Sequence, residues 1–238
     1  MATDVNHLGQ PIGVAVPNWS QRPQPPTAPM QGQFCHVMPL DVEKHALDLY
    51  RANSVDKEGR MWTYLAYGPF LSFEDYLAEM NKWLKESWQI HAILDASTEH
   101  VLGLASYMRI NRDAGSIEVG AIMYSPRLQR TTAGTEAMYL MMKRVFDELG
   151  YRRYEWQCNA LNQGSMNAAR RLGFQLEGIF RQANVLKGRN RDTAWFSITD
   201  EEWPAIKTAF ESWLARENFD SSGRQIKSLG QFMPPQPR

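Results

Sequence analysis

Apolar and polar residues follow two different periods along this chain, and the change between them separates helices from strands. Apolar residues at a spacing of three or four predict one amphipathic helix after Asp41 and another after Ser72, and both residues suit a helix N-cap. Three strand-like segments come next, which are QIHAILD, VLGLASYMRI and SIEVGAIMY. Short turn-rich loops separate these segments, so the pattern predicts an antiparallel meander.

The longest helical pattern begins after the third of these strands. Apolar residues recur at helical spacing from Met138 to Leu149, and Gly150 stands where a C-terminal glycine is expected. The segment YEWQCNA then alternates as a strand, and residues 165–172 fit a short helix. A long hairpin that turns near Gly188 and a last helix complete the pattern. The predicted order of elements is ααβββαβαββα.

This order predicts a single mixed α/β domain between two proline-rich ends. Thr199 and Glu202 are spaced as a capping box for the last helix of the domain. Residues 1–32 and 218–238 are rich in proline, which removes backbone donors and fixes φ, so we expect an arm and a tail that are extended or disordered. The folded domain is predicted to span residues 33–217.

The composition narrows the classes of partner. Lys and Arg number 26 among the 238 residues, Asp and Glu also number 26, and this balance argues against the basic surface of a nucleic-acid-binding protein. The two cysteines, Cys35 and Cys158, are too few for a disulfide framework and lack metal-ligand spacing. No apolar run approaches the roughly 18 residues of a membrane span, and the N-terminus lacks a secretory pattern. We therefore expect a cytoplasmic protein without a metal site, a nucleic-acid partner or a membrane partner.

A polar loop, QRTTAG, stands directly before the longest predicted helix. A helix N-terminus offers unpaired backbone N–H groups and the positive end of the helix dipole, so such a loop suits an anion, and a phosphate above all. The hydroxyls of Thr131, Thr132 and Thr135 and the charge of Arg130 add donors to this predicted site. The alternative is a solvated loop in which a threonine only caps the helix.

Three stretches of the sequence carry a family resemblance. Residues 129–134 match a pyrophosphate motif of Gln or Arg, two residues, Gly, one residue, then Gly or Ala, except that Thr132 replaces the first glycine. The stretch ALNQGSMNAARRLGFQLEG contains the motif asparagine as Asn162, and GRNRDTAWFSITDEEW matches a closing hairpin. Together they resemble the GNAT superfamily of acyl-CoA-dependent N-acyltransferases, and within it the RimJ/RimL-like branch.

This resemblance implies a fold and a cosubstrate. The fold is the GNAT one, a mostly antiparallel twisted sheet flanked by helices, and the cosubstrate is acetyl-CoA. The strand before the polar loop then splays from its neighbour and offers backbone groups to the pantetheine arm. The residues expected to bind the cosubstrate are Ile122, Met123, Tyr124, Gln129, Arg130, Thr131, Thr132, Ala133, Gly134, Thr135 and Asn162.

Transfer of an acetyl group to an amine requires a base, because an aliphatic amine is mostly protonated at neutral pH. Glu118, just before the cofactor segment of its strand, is the candidate base, and the alternative is an ordinary exposed strand carboxylate. Many GNAT members place a catalytic tyrosine where this chain has Ala169. Ser165 matches instead the serine that resembles the proton donor of the RimL-like branch, with a purely helix-capping serine as the alternative.

An aromatic segment between the first two helices is the candidate wall of the acceptor site. Trp62, Tyr64, Tyr67 and Phe70 lie close together there, and in related folds this loop borders the acceptor. Structural packing of the rings is the alternative. The run KGRNR at the predicted hairpin turn suggests a site for an acidic acceptor or for the ribose phosphate, and a solvated hairpin tip is its alternative.

The sequence thus predicts an enzyme that moves an acetyl group from acetyl-CoA to a primary amine, with Glu118 as base and Ser165 as acid. The acceptor is a small-molecule amine or a protein N-terminus. A catalytically weak CoA-binding sensor or interaction module is the alternative, prompted by Thr132 and by the missing tyrosine. A nucleic-acid-associated partner is a second alternative. The two terminal segments are long enough to pack on a neighbouring subunit, which allows a homodimer.

Overall fold

A computed structural model describes residues 3–235, which form one large sheet between two layers of helices and a separate small hairpin. The strands of the described part are β1 Thr3–Val5, β2 Pro11–Gly13, β3 Met30–Gln31, β4 Cys35–Pro39, β5 Gln89–Asp95, β6 Val101–Asn111, β7 Ser116–Tyr124, β8 Arg153–Asn159, β9 Gln175–Leu186 and β10 Arg189–Thr199. Its α-helices are α1 Val42–Asn53, α2 Phe73–Trp83, α3 Thr132–Lys143, α4 Gln163–Arg171 and α5 Trp203–Leu214. A π-helical turn, Arg144–Glu148, continues α3, and 3₁₀ turns lie at Arg60–Trp62, Arg216–Asn218 and Leu229–Gln231.

The large sheet has eight strands in the order β3-β4-β5-β6-β7-β8-β10-β9. Neighbouring strands are antiparallel except β7 and β8, which run parallel, so the mixed and mostly antiparallel sheet expected from the sequence is confirmed. β7 and β8 pair only from Ser116 and Arg153 to Val119 and Trp156. The two strands therefore diverge beyond Val119. β1 and β2 form the separate hairpin, which is exposed.

Two clusters of buried side chains hold the helices against the sheet. α1 and α2 pack on β5 and β6, where Tyr76 and Met80 are fully buried. α3, α4 and α5 cover the opposite face, where Phe174 and Phe196 are fully buried. Each such side chain contributes about 1.5–3 kcal/mol through burial, so both helix layers are firmly attached. The α1–α2 cluster includes no described side chain from β8 or β10. On the side of α1 and α2, that part of the sheet is therefore left open.

The helix ends test the predicted caps. The side chains of Asp41 and Ser72 each accept a backbone N–H from the first turn, which confirms both N-caps. The prediction of a capping box at Thr199 and Glu202 is wrong in part. Glu202 accepts from the Thr199 backbone N–H at 2.7 Å as expected, but the Thr199 hydroxyl donates to the same carboxylate instead of capping the helix. α5 therefore begins one residue after Glu202. No helix within residues 3–235 is long and apolar enough to cross a membrane.

The sequence pattern predicts no strand before α1, and the structure corrects this. β4 pairs with β5 along its whole length, and the two-residue β3 extends the sheet beyond it. Both strands are too short for an alternating pattern to stand out from the proline-rich sequence around them. The sheet consequently begins ahead of the first helix rather than after the second.

The proline-rich arm before β3 lies extended along the domain. The Trp19 indole N–H donates to the Asp113 carbonyl oxygen at 2.7 Å, and the Tyr151 hydroxyl donates to the Pro23 carbonyl oxygen at 3.0 Å. The buried guanidinium of Arg144 donates to two further arm carbonyl oxygens at 2.7 and 3.0 Å. The arm thereby supplies acceptors to the buried guanidinium of Arg144, so it is part of the folded structure.

The tail beyond α5 also returns to the domain. The Phe219 ring stacks on the Phe34 ring with 5.2 Å between centroids, and Leu229 is buried. Residues 1–2 and 236–238 of the expected arm and tail lie outside the described residues. The limits 33 and 217 of the domain stay predictions, and the segments on either side of them contact it.

Candidate active site

A bulge in β7 opens the sheet at the point where β7 and β8 diverge. The register between β6 and β7 shifts from the pair Leu104–Met123 to the pair Ser106–Gly120, so β7 carries one extra residue. Ala121 lies in this bulge with a left-handed φ of 47°. Among the described residues, no strand pairs with β7 on the β8 side beyond this point. The resulting gap, which we call the splay, exposes strand backbone that a ligand can bond.

The loop after β7 presents backbone N–H groups at the start of α3. Thr131 is the N-cap, and its hydroxyl accepts from the Gly134 N–H at 3.0 Å and donates to the Leu128 carbonyl oxygen at 2.7 Å. Within residues 3–235, three neighbouring backbone N–H groups have no acceptor, those of Arg130, Thr132 and Ala133. We call these three groups the cradle. Unpaired N–H groups at a helix N-terminus favour a phosphate.

Close packing fixes the shape of the cradle. The Gln129 side-chain amide donates to the Tyr124 carbonyl oxygen at 2.8 Å, which ties the loop to the end of β7. A Cβ added to Gly134 would lie 2.7 Å from the Leu128 carbonyl oxygen, so this position requires glycine. Arg130 has a left-handed φ of 61° and an exposed side chain.

Two of the three threonine hydroxyls expected to reach a phosphate are used inside the protein. Thr131 caps α3, as the simpler alternative for this loop requires. The buried hydroxyl of Thr135 donates to the Thr131 carbonyl oxygen at 3.2 Å and accepts from the Arg171 guanidinium at 2.9 Å. Of the three, Thr132 alone has a hydroxyl without a partner among the described residues. Of the three hydroxyls expected to donate to a phosphate, only that of Thr132 remains available. The sequence reasoning missed Arg171, whose guanidinium lies beside Thr135.

The β8 side of the splay is formed by the start of α4. The Asn162 side-chain oxygen accepts from the Ser165 backbone N–H at 3.1 Å, so Asn162 caps this helix and the capping alternative for Ser165 is wrong. The Trp156 indole N–H donates to Ser165 Oγ at 3.0 Å. Ser165 also lies beside the thiol of Cys158, whose pKa is raised by burial. Because Oγ accepts from the indole, the hydroxyl hydrogen can be donated, and the Cys158 sulfur is an acceptor beside it.

Glu118 lies on β7 one residue before the strands diverge, and its side chain faces the side of the sheet that carries α1 and α2. The residue is only 4% exposed, so the alternative of an ordinary exposed carboxylate is wrong. Burial raises the pKa of Glu118 to about 7. The charges of Arg109 and Arg191 oppose this rise in pKa, and the charge of Glu155 adds to it. A carboxyl with this pKa is suited to proton transfer near neutral pH.

A second bulge, in β6, aims Arg109 at Glu118. The register between β6 and β7 shifts after the pair Met108–Glu118, and Arg109 has a left-handed φ of 44°. The Arg109 guanidinium forms an ion pair with Glu118 and lies over the Trp195 ring, 5.1 Å from its centroid. Half of the Arg109 side chain stays exposed. The sequence reasoning missed this residue, because a bulge breaks the strict alternation from which strand faces are predicted.

Polar side chains continue from Glu118 across the open face of β8 and β10. The pairing of β7 with β8 places Glu118 beside Glu155. The pairing of β8 with β10 continues this face across both strands, where every second residue points to the same side of the sheet. We call this set the open strip: Glu118, Glu155, Gln157, Arg191, Thr193 and Trp195. A groove of about 800 Å³ begins at one end of the strip, where Gln21 and Gln24 of the arm also line it. No group of three or more His, Cys, Asp or Glu in residues 3–235 is arranged to hold a metal ion.

The aromatic segment expected to border the acceptor packs mostly within itself. Trp62 is buried, and the ring centroids of Tyr67 and Phe70 lie 6.3 and 5.3 Å from that of Trp62. These rings belong to the cluster beneath α1 and α2, which agrees with the packing alternative. Tyr64 differs, because its hydroxyl donates to the Leu161 carbonyl oxygen at 3.1 Å beside the start of α4. Contact with the acceptor stays a prediction for all four aromatic residues.

The turn between β9 and β10 fixes the aromatic segment from the other side. Lys187 Nζ donates to the carbonyl oxygens of three residues in that segment at 3.0, 3.2 and 2.9 Å. A solvated hairpin tip is therefore the wrong interpretation of Lys187, although Arg189 is exposed as that alternative expects. Arg191, the third cation of the run, belongs to the open strip, and its Nε is buried.

Comparison with known proteins identifies the family. Residues 38–175 match the sequence model of the acetyltransferase (GNAT) domain, which is more than half of the chain. The chain belongs to the GNAT acetyltransferase family. A GCN5-related N-acetyltransferase from Brucella melitensis is 44% identical, with a TM-score of 0.88 over 91% of this chain and 99% of the other.

Two further relatives extend this comparison. The uncharacterized N-acetyltransferase p20 of Bacillus licheniformis is 27% identical over 112 residues, which cover 47% of this chain and 62% of that relative. The chain thus matches less than two thirds of p20. RimL, a ribosomal L7/L12 α-N-protein acetyltransferase solved in complex with coenzyme A, shares the fold at 18% identity with a TM-score of 0.60. The match covers 72% of this chain and 97% of RimL.

Proposed function

We propose that this protein transfers an acetyl group from acetyl-CoA, held in the splay, to a primary amine that binds over the open strip. One observation carries the proposal. β7 holds the buried carboxylate of Glu118 beside the point where it diverges from β8, and the loop that follows β7 forms the cradle. Membership of the GNAT acetyltransferase family supports the reaction, and a fold relative solved with coenzyme A supports the cosubstrate.

The cradle would hold the diphosphate of acetyl-CoA. Its three unpaired N–H groups supply donors, and the Thr132 hydroxyl adds a fourth. The threonine at the usual glycine position leaves these backbone donors unpaired, so we expect it to be compatible with binding. The pantetheine arm would run along residues 122–124, where β7 has no neighbour on the β8 side, and would reach the Asn162 side-chain nitrogen.

The buried groups at the splay would carry out the acetyl transfer. Glu118 accepts a proton from the acceptor ammonium, and the neutral nitrogen then attacks the thioester carbonyl carbon. The new C–N bond gives a tetrahedral oxyanion, which a backbone N–H of β7 beyond the bulge stabilises. When this intermediate collapses, the C–S bond breaks and the nitrogen loses its second proton to solvent. The thiolate takes a proton from the Ser165 hydroxyl, which solvent replaces. The products are an amide and the free thiol of CoA, with one proton released from Glu118 to solvent.

Calorimetric titration with acetyl-CoA tests the cofactor half of this proposal. Thr132→Asp places a carboxylate among the cradle N–H groups, and we expect it to cost about 2 kcal/mol, a loss of roughly 30-fold in affinity. An acidic residue in the first turn suits the helix dipole, so the fold should be retained. Thr132→Asn is the matched neutral control and should bind acetyl-CoA nearly as well as the wild type. Equal affinity of all three proteins would mean that the cradle does not hold the diphosphate.

Turnover tests the enzymatic half. The wild type should release CoA thiol in the presence of at least one class of primary amine. Tight binding of acetyl-CoA without any amine-dependent thiol release would favour the CoA-binding sensor instead. Whether the acceptor is a small molecule or a protein N-terminus, and whether the protein is a cytoplasmic homodimer, stay predictions from the sequence.

A further inference from the structure

The open strip has more hydrogen-bond donors than its own residues use. Three buried donor atoms of the strip have no hydrogen-bond partner among the described residues: Gln157 Nε2, Arg191 Nε and Thr193 Oγ1. Pairing of β8 with β10 places Gln157 and Thr193 on the face that carries Glu118. Arg191 lies two residues before Thr193 on β10, and its charge acts on the Glu118 carboxyl. Each atom can donate a hydrogen bond, and a buried donor without an acceptor destabilises the protein. A ligand with acceptor atoms would remove this destabilisation.

Two guanidiniums lie near the Glu118 carboxylate. Arg109 reaches Glu118 from β6 as an ion pair, and Arg191 acts on the same carboxyl from β10. Glu155 pairs with Arg153 at 2.6 Å, and Arg153 also pairs with Glu177 at 2.6 Å, so guanidiniums and carboxylates are balanced here while Glu118 is ionised. The remaining N–H groups of Arg109 have no hydrogen-bond acceptor in residues 3–235, and half of its side chain is exposed. Arg109 and the strip beside it therefore offer N–H donors that no described residue accepts.

The proposed reaction removes one of the negative charges in this region. When Glu118 accepts the amine proton it becomes neutral, and Arg109 and Arg191 lose their shared counter-charge. A charge without a partner in a partly buried place is unfavourable. An acceptor that carries its own anion would replace the lost charge during the step in which its nitrogen attacks. The same anion would supply acceptor atoms for Gln157 and Thr193.

We propose that the acceptor is an amine with a carboxylate a few bonds away from its nitrogen, as in a free amino acid. The amine lies toward Glu118, and the carboxylate accepts hydrogen bonds from Arg191 and Gln157. This inference rests on the proposed function and names its substrate class. Polyamines and amino sugars lack such an anion, and a protein N-terminus offers only a neutral carbonyl oxygen at the corresponding place.

Matched acceptors test the inference directly. The wild type is assayed with the free amino acids, with the corresponding amino-acid amides as mimics of a protein N-terminus, and with a polyamine. We expect kcat/KM for the best amino acid to exceed that for its own amide by about tenfold or more, since one charge-assisted hydrogen bond contributes about 1.5–3 kcal/mol. An equal or greater kcat/KM for the amide or for the polyamine would overturn the inference.

Arg191→Gln adds a residue-level test. This variant should raise KM for the amino acid about tenfold or more and leave that for the amide within about twofold, which removes the preference. Arg189→Gln, in the same strand but exposed, is the control and should keep the preference. Titration with acetyl-CoA should give the same affinity for both variants as for the wild type, which shows that they fold. An undiminished preference in Arg191→Gln would overturn the assignment of the carboxylate site.

The outcomes separate this inference from the proposed function. If amides or polyamines are acetylated well and amino acids poorly, acetyl transfer stands and the substrate class is wrong. If acetyl-CoA binds and no acceptor is acetylated, acetyl transfer itself is wrong and the inference falls with it.

Discussion

The two ends of the splay between β7 and β8 offer different kinds of hydrogen-bonding group. The cradle consists of backbone N–H groups from one short loop, whereas the open strip consists of side chains from three strands. Backbone donors recognise a phosphate whatever the rest of the molecule is, but side chains can be changed one at a time. We infer that the cradle provides a common cosubstrate site and that the strip determines which amine reacts.

Loss of the Glu118 carboxylate should separate the two ends most sharply. We expect Glu118→Gln to lower kcat by about 10²–10⁴-fold, the range typical of a general base, and to leave the affinity for acetyl-CoA unchanged. Wild-type kcat/KM should rise as pH increases through about 7, because the ionised carboxyl is the active form. The variant should lack this inflection near pH 7, and its rate should follow only the fraction of neutral amine. Initial rates across the neutral pH range measure both effects.

The same variant gives a check that does not depend on turnover. The pKa of Glu118 is raised in the folded protein from its ordinary 4.5 to about 7, so between these values the native state binds the extra proton. The free energy of unfolding should therefore fall as pH rises through this window. Glu118→Gln should reduce that fall. An identical pH dependence of unfolding in both proteins would contradict the raised pKa.

Removal of the Ser165 hydroxyl should have a smaller effect, on the departing thiolate. A thiol has an ordinary pKa of about 8.5, so its anion tolerates release near neutral pH, and we expect Ser165→Ala to lower kcat only about tenfold. Ser165→Thr keeps a hydroxyl beside the Trp156 indole and should retain most activity. A full kcat in the alanine variant, measured under saturating substrates, would assign the proton transfer to solvent.

The smallest effect is expected where the hairpin holds the aromatic segment. Lys187→Met removes three exposed or partly buried hydrogen bonds and should raise the acceptor KM about three- to tenfold, since each contributes about 0.5–1.5 kcal/mol. The affinity for acetyl-CoA should not change. Arg189→Met alters the same hairpin without touching the segment and serves as the control. Weakened acetyl-CoA binding in the Lys187 variant would show that the two ends are coupled.

Features fixed by neighbouring residues could be predicted from the sequence. The segment QIHAILD is β5 itself, and Gly150 and Gly188 both have the left-handed φ expected at a helix end and a hairpin turn. The cradle was predictable for the same reason, because a strand end, a capping threonine and a helix start follow one another within a few residues. Local spacing carries this information directly.

Features that depend on strands meeting across the sheet could not be predicted in this way. Arg109 approaches Glu118 only because β6 has a bulge, and nothing in the periodicity of that segment marks it. In the sequence, Gln157 is one of several polar positions on an alternating strand. Only the pairing of β8 with β10 shows which side chains lie beside it. The aromatic segment shows the same limit, since Trp62 is buried and Tyr64 reaches α4 although the two are neighbours in sequence.

The position of the open strip along the chain has a consequence for how relatives are compared. The segment that matches the family model ends at residue 175, so it contains the cradle and Glu118 but excludes Arg191 and Trp195 of β10. It also begins after Gln21 and Gln24 of the arm, which line the groove. Two proteins can therefore share this segment, and with it the acetyl donor, while the flanking sequences give each a different acceptor.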